Sequence, residues 1–140
     1  LDHERALAED ALPAPGAVTL LRALAAAGCR LGILTRNDHA LAKLTLEAIG
    51  VGALFDDADI VGRDEAVPKP SPDGLQQHLR RWGVAATEAV MVGDHAYDLE
   101  CGRAAGTHTV LVNLPENPWP GRADWHFADC RALLAAWQGA

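Results

Sequence analysis

Two aspartates, Asp94 and Asp98, follow an apolar run and stand four residues apart. The run over residues 90–92 is typical of a strand buried on both faces of a parallel sheet, and Gly93 allows a sharp turn at its end. Residues four apart share one helix face, and two carboxylates held together repel unless a cation or a proton separates them. The segment therefore predicts a metal site at Asp94 and Asp98. A helix cap followed by a solvated acid is the alternative.

Two further polar segments come earlier in the chain. Thr35 and Asn37 place a hydroxyl and an amide at the end of another apolar run, just before a helical pattern. A helix amino terminus favours anions, so this turn is a candidate phosphate site. The alternative is a threonine that ends a strand, with Asn37 or Asp38 capping the helix.

Lys69 lies between two prolines, Pro68 and Pro70, immediately before a predicted helix start. The prolines stiffen the loop and keep the lysine extended. A compact ammonium group held in this way suits a phosphate oxygen or a cluster of carboxylates. The alternative is a surface lysine in a proline-rich turn.

The elements that must position these residues alternate between apolar runs and amphipathic stretches. This alternation predicts an α/β fold, with a three-layer, Rossmann-like parallel sheet and helices on both of its faces. In such sheets ligands bind beyond the carboxyl ends of the strands, where Thr35, Gly62 and Asp94 are expected. Residues 13–140 are predicted to form this core, and residues 1–12 a charged helix that ends at a proline-rich breaker.

The order of the motifs resembles that of the haloacid dehalogenase superfamily of hydrolases. The motifs are Leu-Thr-Arg-Asn at residues 34–37, Pro-Lys-Pro-Ser-Pro at 68–72 and Val-Gly-Asp-His-Ala-Tyr-Asp at 92–98. They are most similar to those of the phosphoglycolate phosphatase-like branch, and the resemblance covers the chain from about Pro13 to its end.

The resemblance implies a Mg²⁺-dependent phosphatase of a small phosphorylated metabolite. Thr35 would hydrogen-bond the phosphoryl group with help from Asn37 and Arg36, and Lys69 would neutralise charge on the nucleophile and the phosphoryl group. Asp94 would ligate magnesium. Asp98 would assist at the metal, orienting water or Lys69. A phosphoryl transition state needs positive charge and positioning, which agrees with these roles.

The family's nucleophile is an aspartate in an Asp-x-Asp motif that ends the first strand, and the sequence lacks this motif in that place. Asp57-Ala58-Asp59 matches the Asp-x-Asp pattern but precedes an apolar run instead of following one. Asp2 and Asp10 fall in the predicted helical stretch. We therefore expect the first strand and most of the helical cap to be absent, with residues 1–12 as the last cap helix. A segment upstream of Leu1, or a second chain, would supply the nucleophile, and the 140 residues alone are predicted to be inactive.

Other functions stay open. A non-catalytic module that binds phosphate or another anion would use the same lysine and threonine without turnover. A dehalogenase would use the same nucleophile without a metal, which the aspartate pair argues against. A phosphoacceptor receiver domain places its acidic residues before its threonine and lysine, opposite to the order found.

The overall composition excludes some partners. The net charge is −7 and no basic stripe is present, which argues against nucleic acid. No apolar stretch has the length of a membrane span, and three widely spaced cysteines predict reduced thiols in a cytoplasmic protein. We expect His95 to be an exposed residue of a first helical turn, and Trp119 and Trp125 to cover an edge of the core.

Overall fold

The computed structural model describes residues 6–9 and 16–139, with only the backbone described for residues 6–9. The described strands are β1 (Ala6–Glu9), β2 (Arg30–Leu34), β3 (Ile60–Val61), β4 (Ala89–Gly93), β5 (His108–Leu111) and β6 (Trp125–His126). The described α-helices are α1 (Ala17–Ala26), α2 (His39–Ala48), α3 (Asp73–Trp82), α4 (Ala96–Ala105) and α5 (Cys130–Gly139). Short 3₁₀ turns lie at Gly52–Leu54, Asp57–Asp59 and Ala86–Glu88.

The strands form one sheet in the order β3-β2-β1-β4-β5-β6, and each neighbouring pair is parallel. Helices connect most of the strands, as parallel neighbours require. This architecture confirms the predicted α/β class with a parallel, Rossmann-like sheet. All the strands run the same way, so their carboxyl ends share one edge of the sheet.

The centre of the sheet differs from the prediction. Residues 6–9 form strand β1 rather than part of a helix, and β1 lies between β2 and β4. Ala6 is opposite Arg30 on one side and Ala89 on the other. Without β1, both inner strand edges would leave backbone N–H and C=O groups unpaired, and this outweighs a local helical pattern. The predicted helix is therefore wrong for residues 6–9. The rest of the predicted cap remnant, including Asp2 and Asp10, lies outside the described residues.

Side chains alternate between two apolar layers on either face of the sheet. In β2, Leu31 and Ile33 belong to the larger cluster, which also contains residues of α1, α2 and α5. Leu34 belongs to the opposite cluster with Leu75 of α3 and Cys101 of α4. This period of two, with both faces apolar, is what a strand buried by helices on both sides requires.

Helix α3 approaches β2 closely because Gly32 has no side chain. A Cβ atom at Gly32 would lie 2.7 Å from the Trp82 ring and 2.8 Å from His78. The two rings stack with centroids 4.9 Å apart, and His78 Nε2 lies 2.8 Å from the carbonyl oxygen of Ile33. Burial lowers the pKa of His78 to about 4, so the imidazole is neutral at pH 7 and Nε2–H donates to this oxygen.

Strand β6 covers the edge of β5. The carboxylate of Asp124 accepts a hydrogen bond of 2.8 Å from the backbone N–H of Thr109, and Phe127 N–H donates to Leu111 O. Trp125 packs against the larger apolar cluster, as predicted for an edge cover. No helix in the part of the chain that the structure describes is long and apolar enough to cross a membrane.

The buried His78 predicts a stability that depends on pH. Its folded-state pKa of about 4 lies below the unfolded value of 6.5, so between these values the unfolded chain binds a proton that the folded chain does not. The free energy of unfolding should fall by about 1.4 kcal/mol per pH unit from His78 alone as pH drops from 6.5 to 4. Urea unfolding at several pH values measures this. In His78→Asn, whose amide can still donate to Ile33, this part of the slope should vanish; an unchanged slope contradicts the assignment.

Candidate active site at the carboxyl edge of the sheet

The predicted site residues follow strands that flank the centre of the sheet. Thr35 comes directly after β2 and Asp94 directly after β4, with β1 between those strands. Lys69 lies in the loop between β3 and α3, and Asp98 in the first turn of α4. The parallel topology thus brings segments far apart in sequence to one edge.

Lys69 and Asp98 form a buried ion pair. Lys69 Nζ lies 2.7 Å from Asp98 Oδ1, and the two side chains are only 2% and 1% exposed. The same ammonium group donates to the carbonyl oxygen of Leu34, at 3.2 Å, immediately before Thr35. Lys69 therefore connects the carboxyl end of β2 to the first turn of α4. It is not the surface side chain of the alternative interpretation.

The second oxygen of Asp98 organises the turn after β4. Asp98 Oδ2 accepts hydrogen bonds from the backbone N–H groups of Asp94, at 3.1 Å, and His95, at 3.2 Å. This carboxylate approaches the strand end so closely that a Cβ atom at Gly93 would lie 2.2 Å from Oδ2. Gly93 is thus required for the contact with Asp98; its φ is not positive, so the predicted need for glycine in the turn itself is not what the structure shows.

The turn after β2 has a different construction. Thr35 N–H donates to Val61 O, and Thr35 Oγ1 accepts a hydrogen bond of 3.1 Å from Asn37 N–H. Asp38 caps α2 by accepting from Leu41 N–H at 2.7 Å, which confirms the predicted capping role for this residue. Asn37 is exposed in this turn, immediately before the start of α2.

An open pocket of about 210 Å³ lies at this edge, lined by Arg36, Lys69, His95, Tyr97 and Asp98. The guanidinium carbon of Arg36 lies 5.3 Å from the centroid of the Tyr97 ring. The His95 ring contacts Tyr97 at a centroid distance of 4.7 Å and Trp119 at 5.6 Å.

Sequence analysis does not predict the ring contacts beside this pocket, which join His95, Tyr97 and Trp119. His95 is exposed, as predicted, but it caps α4 instead of lying in its first turn, and its Nδ1 accepts a hydrogen bond of 3.1 Å from Tyr97 N–H. Tyr97 stands between the two aspartates, yet nothing in its spacing indicated a role. Trp119 was assigned to edge cover, and its ring contact with His95 follows from the path of a loop.

The carboxylate oxygens of the two aspartates differ in how accessible they are to a metal ion. Asp94 is exposed, whereas the oxygens of Asp98 accept hydrogen bonds from Lys69 and from two backbone N–H groups. Among residues 16–139, whose side chains the structure describes, no three histidine, cysteine, aspartate or glutamate side chains cluster as a metal site. Mg²⁺ in phosphate sites is held by one or two carboxylates together with water and substrate oxygens. Asp94 fits one such ligand, and the geometry does not favour Asp98 as another.

The fold and the site define a Rossmann-like α/β protein with a charged site at the carboxyl edge of its sheet. Residues 1–106 match the model of the haloacid dehalogenase-like hydrolases, and the chain belongs to this family. The resemblance predicted from the three motifs is thereby confirmed.

The chain is also similar to individual proteins of known name or structure. The chain is 41% identical over 100 residues to a phosphoglycolate phosphatase of Rhodospirillum rubrum, a match that covers 71% of this chain and 41% of the relative. It is 39% identical over 87 residues to pyrophosphatase PpaX of Bacillus velezensis, covering 61% and 39%. A HAD phosphatase from Thermococcus onnurineus superposes with a TM-score of 0.77 and 29% identity, over 89% of this chain and 58% of that one. The matched part of the chain spans about two fifths of the length of these two curated relatives.

The buried ion pair predicts a large loss of stability when one partner is neutralised. Asp98→Asn breaks a buried ion pair and its charge-assisted hydrogen bond, which should lower the free energy of unfolding by about 3–5 kcal/mol. Asp57→Asn is the matched control, because Lys43 and Asp57 pair at 2.8 Å with side chains 47% and 71% exposed. That change should leave the free energy of unfolding nearly unchanged, because solvent screens an exposed pair. Urea denaturation measures both, and equal losses would contradict the role of burial.

Proposed function

We propose that the chain forms the phosphoryl-binding part of a Mg²⁺-dependent phosphatase that acts on a small phosphorylated metabolite. The observation that carries this proposal is the buried Lys69–Asp98 pair at the sheet edge. Lys69 bonds the carbonyl oxygen of Leu34, the residue before Thr35, and Asp98 bonds the backbone N–H of Asp94. The similarity to a phosphoglycolate phosphatase and a pyrophosphatase supports it. Both relatives are named for small substrates that carry another anionic group beside the phosphoryl group.

Lys69 supplies fixed positive charge where a transferring phosphoryl group needs it. Its ammonium group is held by Asp98 Oδ1 and Leu34 O, which fixes the position of the positive charge before a phosphoryl group binds. Asp98 itself does not touch the phosphoryl group in this proposal; its carboxylate positions Lys69 and the backbone N–H groups of the turn after β4. Thr35 and Asn37, at the neighbouring strand end and before α2, are assigned to the phosphoryl oxygens.

Asp94 is the residue assigned to magnesium. Its carboxylate is exposed at the end of β4, while its backbone N–H is fixed by Asp98. Bound Mg²⁺ would neutralise charge on the phosphoryl oxygens. Asp94 thereby takes the metal role that sequence analysis predicts for both aspartates, and Asp98 keeps the role of orienting Lys69.

The nucleophile is the remaining part of the proposal. Family chemistry through an aspartyl-phosphate needs an aspartate that ends a central strand, and we assign it to a segment N-terminal to Leu1 or to a complementing second chain. Such a strand would lie between β2 and β4, where residues 6–9 pair in this structure. The segment would therefore replace β1 at that position.

A non-catalytic anion-binding module is the second candidate. The absence of an Asp-x-Asp motif after an apolar strand in the sequence favours it. Lys69, Thr35 and the amino terminus of α2 would bind a phosphate in the same way, but no bond to the phosphoryl group would be broken. The two candidates differ in the nucleophile alone.

The coding sequence in front of Leu1 distinguishes the candidates. We expect it to encode an apolar run that ends in Asp-x-Asp. A polar stretch or an immediate start codon would exclude the phosphatase and favour the non-catalytic anion-binding module. The 140-residue chain alone should show no Mg²⁺-dependent hydrolysis of phosphoglycolate or an aryl phosphate. Turnover that Asp94→Asn abolishes would place a nucleophile within these residues, and Asp10, which follows β1 in sequence, would be the first to substitute.

The metal assignment has its own test, which needs no turnover. In the presence of inorganic phosphate, Asp94→Asn should weaken Mg²⁺ binding by the chain at least about tenfold, since a hard cation loses its anionic oxygen ligand. Isothermal titration calorimetry measures the affinity. Asp57→Asn, which removes an exposed carboxylate with the same change of charge, is expected to bind Mg²⁺ like the wild type. Equal affinities in all three proteins would exclude Asp94 as the ligand.

A further inference from the structure

We propose that Trp119 is a positioning residue for the magnesium ligand, and that it acts through His95 on the turn that carries Asp94. Trp119 is not one of the residues that line the pocket, so its role is to support that turn rather than to touch a bound ligand. This inference rests on the proposed function, since it takes Asp94 as the ligand of Mg²⁺.

Helix α4 begins with a cap that needs support. His95 is the N-cap residue, and its Nδ1 accepts a hydrogen bond of 3.1 Å from Tyr97 N–H. Serine, threonine, aspartate and asparagine, which have shorter side chains, are the residues preferred at this position. The side chain of His95 is exposed, so it keeps this hydrogen bond only if it is held in one rotamer, at a cost in side-chain entropy.

Two neighbouring rings hold the imidazole of His95. Its ring centroid lies 4.7 Å from that of Tyr97 and 5.6 Å from that of Trp119. Tyr97 belongs to the helical turn that His95 caps, so it moves together with that turn. Trp119 comes from the loop between β5 and β6, and it is therefore the ring that fixes His95 from a separate segment of the chain.

The loop is stiff where it carries Trp119. The residue stands between Pro118 and Pro120, and each proline restricts its own backbone and that of the residue before it. Trp119 N–H donates to Asn117 Oδ1 at 2.8 Å, and Trp119 O accepts from Arg122 N–H at 3.2 Å. The ring is thus a fixed support rather than part of a mobile lid.

The loop is also anchored on both sides of Trp119. Before it, Leu114 O accepts a hydrogen bond of 2.7 Å from His126 Nε2. After it, Arg122 O accepts from Thr109 Oγ1 at 3.0 Å, and the Arg122 guanidinium group pairs with Glu100 of α4 at 2.7 Å. These contacts attach the loop to β5, β6 and α4, and the Trp119 ring is thereby held beside the amino terminus of α4.

The turn after β4 connects His95 to the magnesium ligand. The backbone N–H groups of Asp94 and His95 donate to the same oxygen of Asp98, so a shift of His95 also disturbs the bond that orients Asp94. The buried Asp98 holds this turn from inside the protein, and Trp119 holds it from outside. A carboxylate whose backbone is held in this way loses less conformational entropy when it binds a metal ion.

Hydrogen exchange of the 140-residue chain, followed by NMR, tests the support directly. Trp119→Ala should speed exchange of the N–H groups of Asp94, His95 and Tyr97 at least about fivefold, as expected when a helix cap is weakened. Trp119→Phe keeps an aromatic ring beside His95, and exchange of these groups should stay within about twofold of the wild type.

Two controls separate the ring contact from a general loosening of the loop. Thr109 N–H donates to the Asp124 carboxylate at the base of the loop, and its exchange should be the same in all variants. Arg122→Gln removes the exposed ion pair with Glu100 but keeps the Trp119 ring. Such a pair contributes little, so Asp94 and His95 should exchange in this variant as they do in the wild type.

The affinity for Mg²⁺ shows whether the support serves the metal ligand. In the presence of inorganic phosphate, Trp119→Ala should bind Mg²⁺ about fivefold more weakly, a smaller loss than the about 10–100-fold typical of groups that contact a metal ligand directly. Trp119→Phe should restore the wild-type affinity in isothermal titration calorimetry. Unchanged exchange at Asp94 and His95 in Trp119→Ala, or faster exchange with unchanged Mg²⁺ affinity, overturns this inference and leaves the Asp94 assignment intact. A wild-type chain that binds no Mg²⁺ overturns both.

Discussion

The buried ion pair between Lys69 and Asp98 is the interaction on which the rest of the site depends. Two charges removed from water are tolerated only if each is matched and hydrogen-bonded. Here the ammonium group contacts a carboxylate and the Leu34 carbonyl, and the other carboxylate oxygen accepts two backbone N–H groups. The pair thereby ties three loops together, and it fixes where Thr35, Asp94 and His95 lie relative to one another.

Close backbone approach makes this pair possible, and it explains why glycines stand at one position in β2 and at the end of β4. Gly93 admits the Asp98 carboxylate to the end of β4, and Gly32 admits helix α3 to the face of β2. Helix α3 begins four residues after Lys69, so its close packing also determines where the lysine loop comes to lie. Packing within the core and chemistry at the sheet edge are therefore controlled by the same few positions.

The sequence predicts much of the fold and the charged part of the site. Alternating elements indicate a parallel sheet, whose strand ends must share an edge, and this places Thr35, Lys69 and Asp94 together. It does not predict strand β1, because its pairing depends on neighbours that are distant in the chain. Nor does it predict the contacts of Tyr97 and Trp119, which arise from loop paths without a periodic signal. The division of roles between Asp94 and Asp98 depends on burial, which spacing alone cannot reveal.

Strand β1 also affects how the molecule assembles. It is four residues long and connects β3-β2 on one side with β4-β5-β6 on the other. Ala6 pairs with Ala89, so this junction requires chain closure across more than half of the sequence. Contacts of such long range slow folding, because the loop must close before the contact stabilises the chain. The seam between the two halves of the sheet, where the site lies, therefore consists of the contacts whose closure costs the most chain entropy.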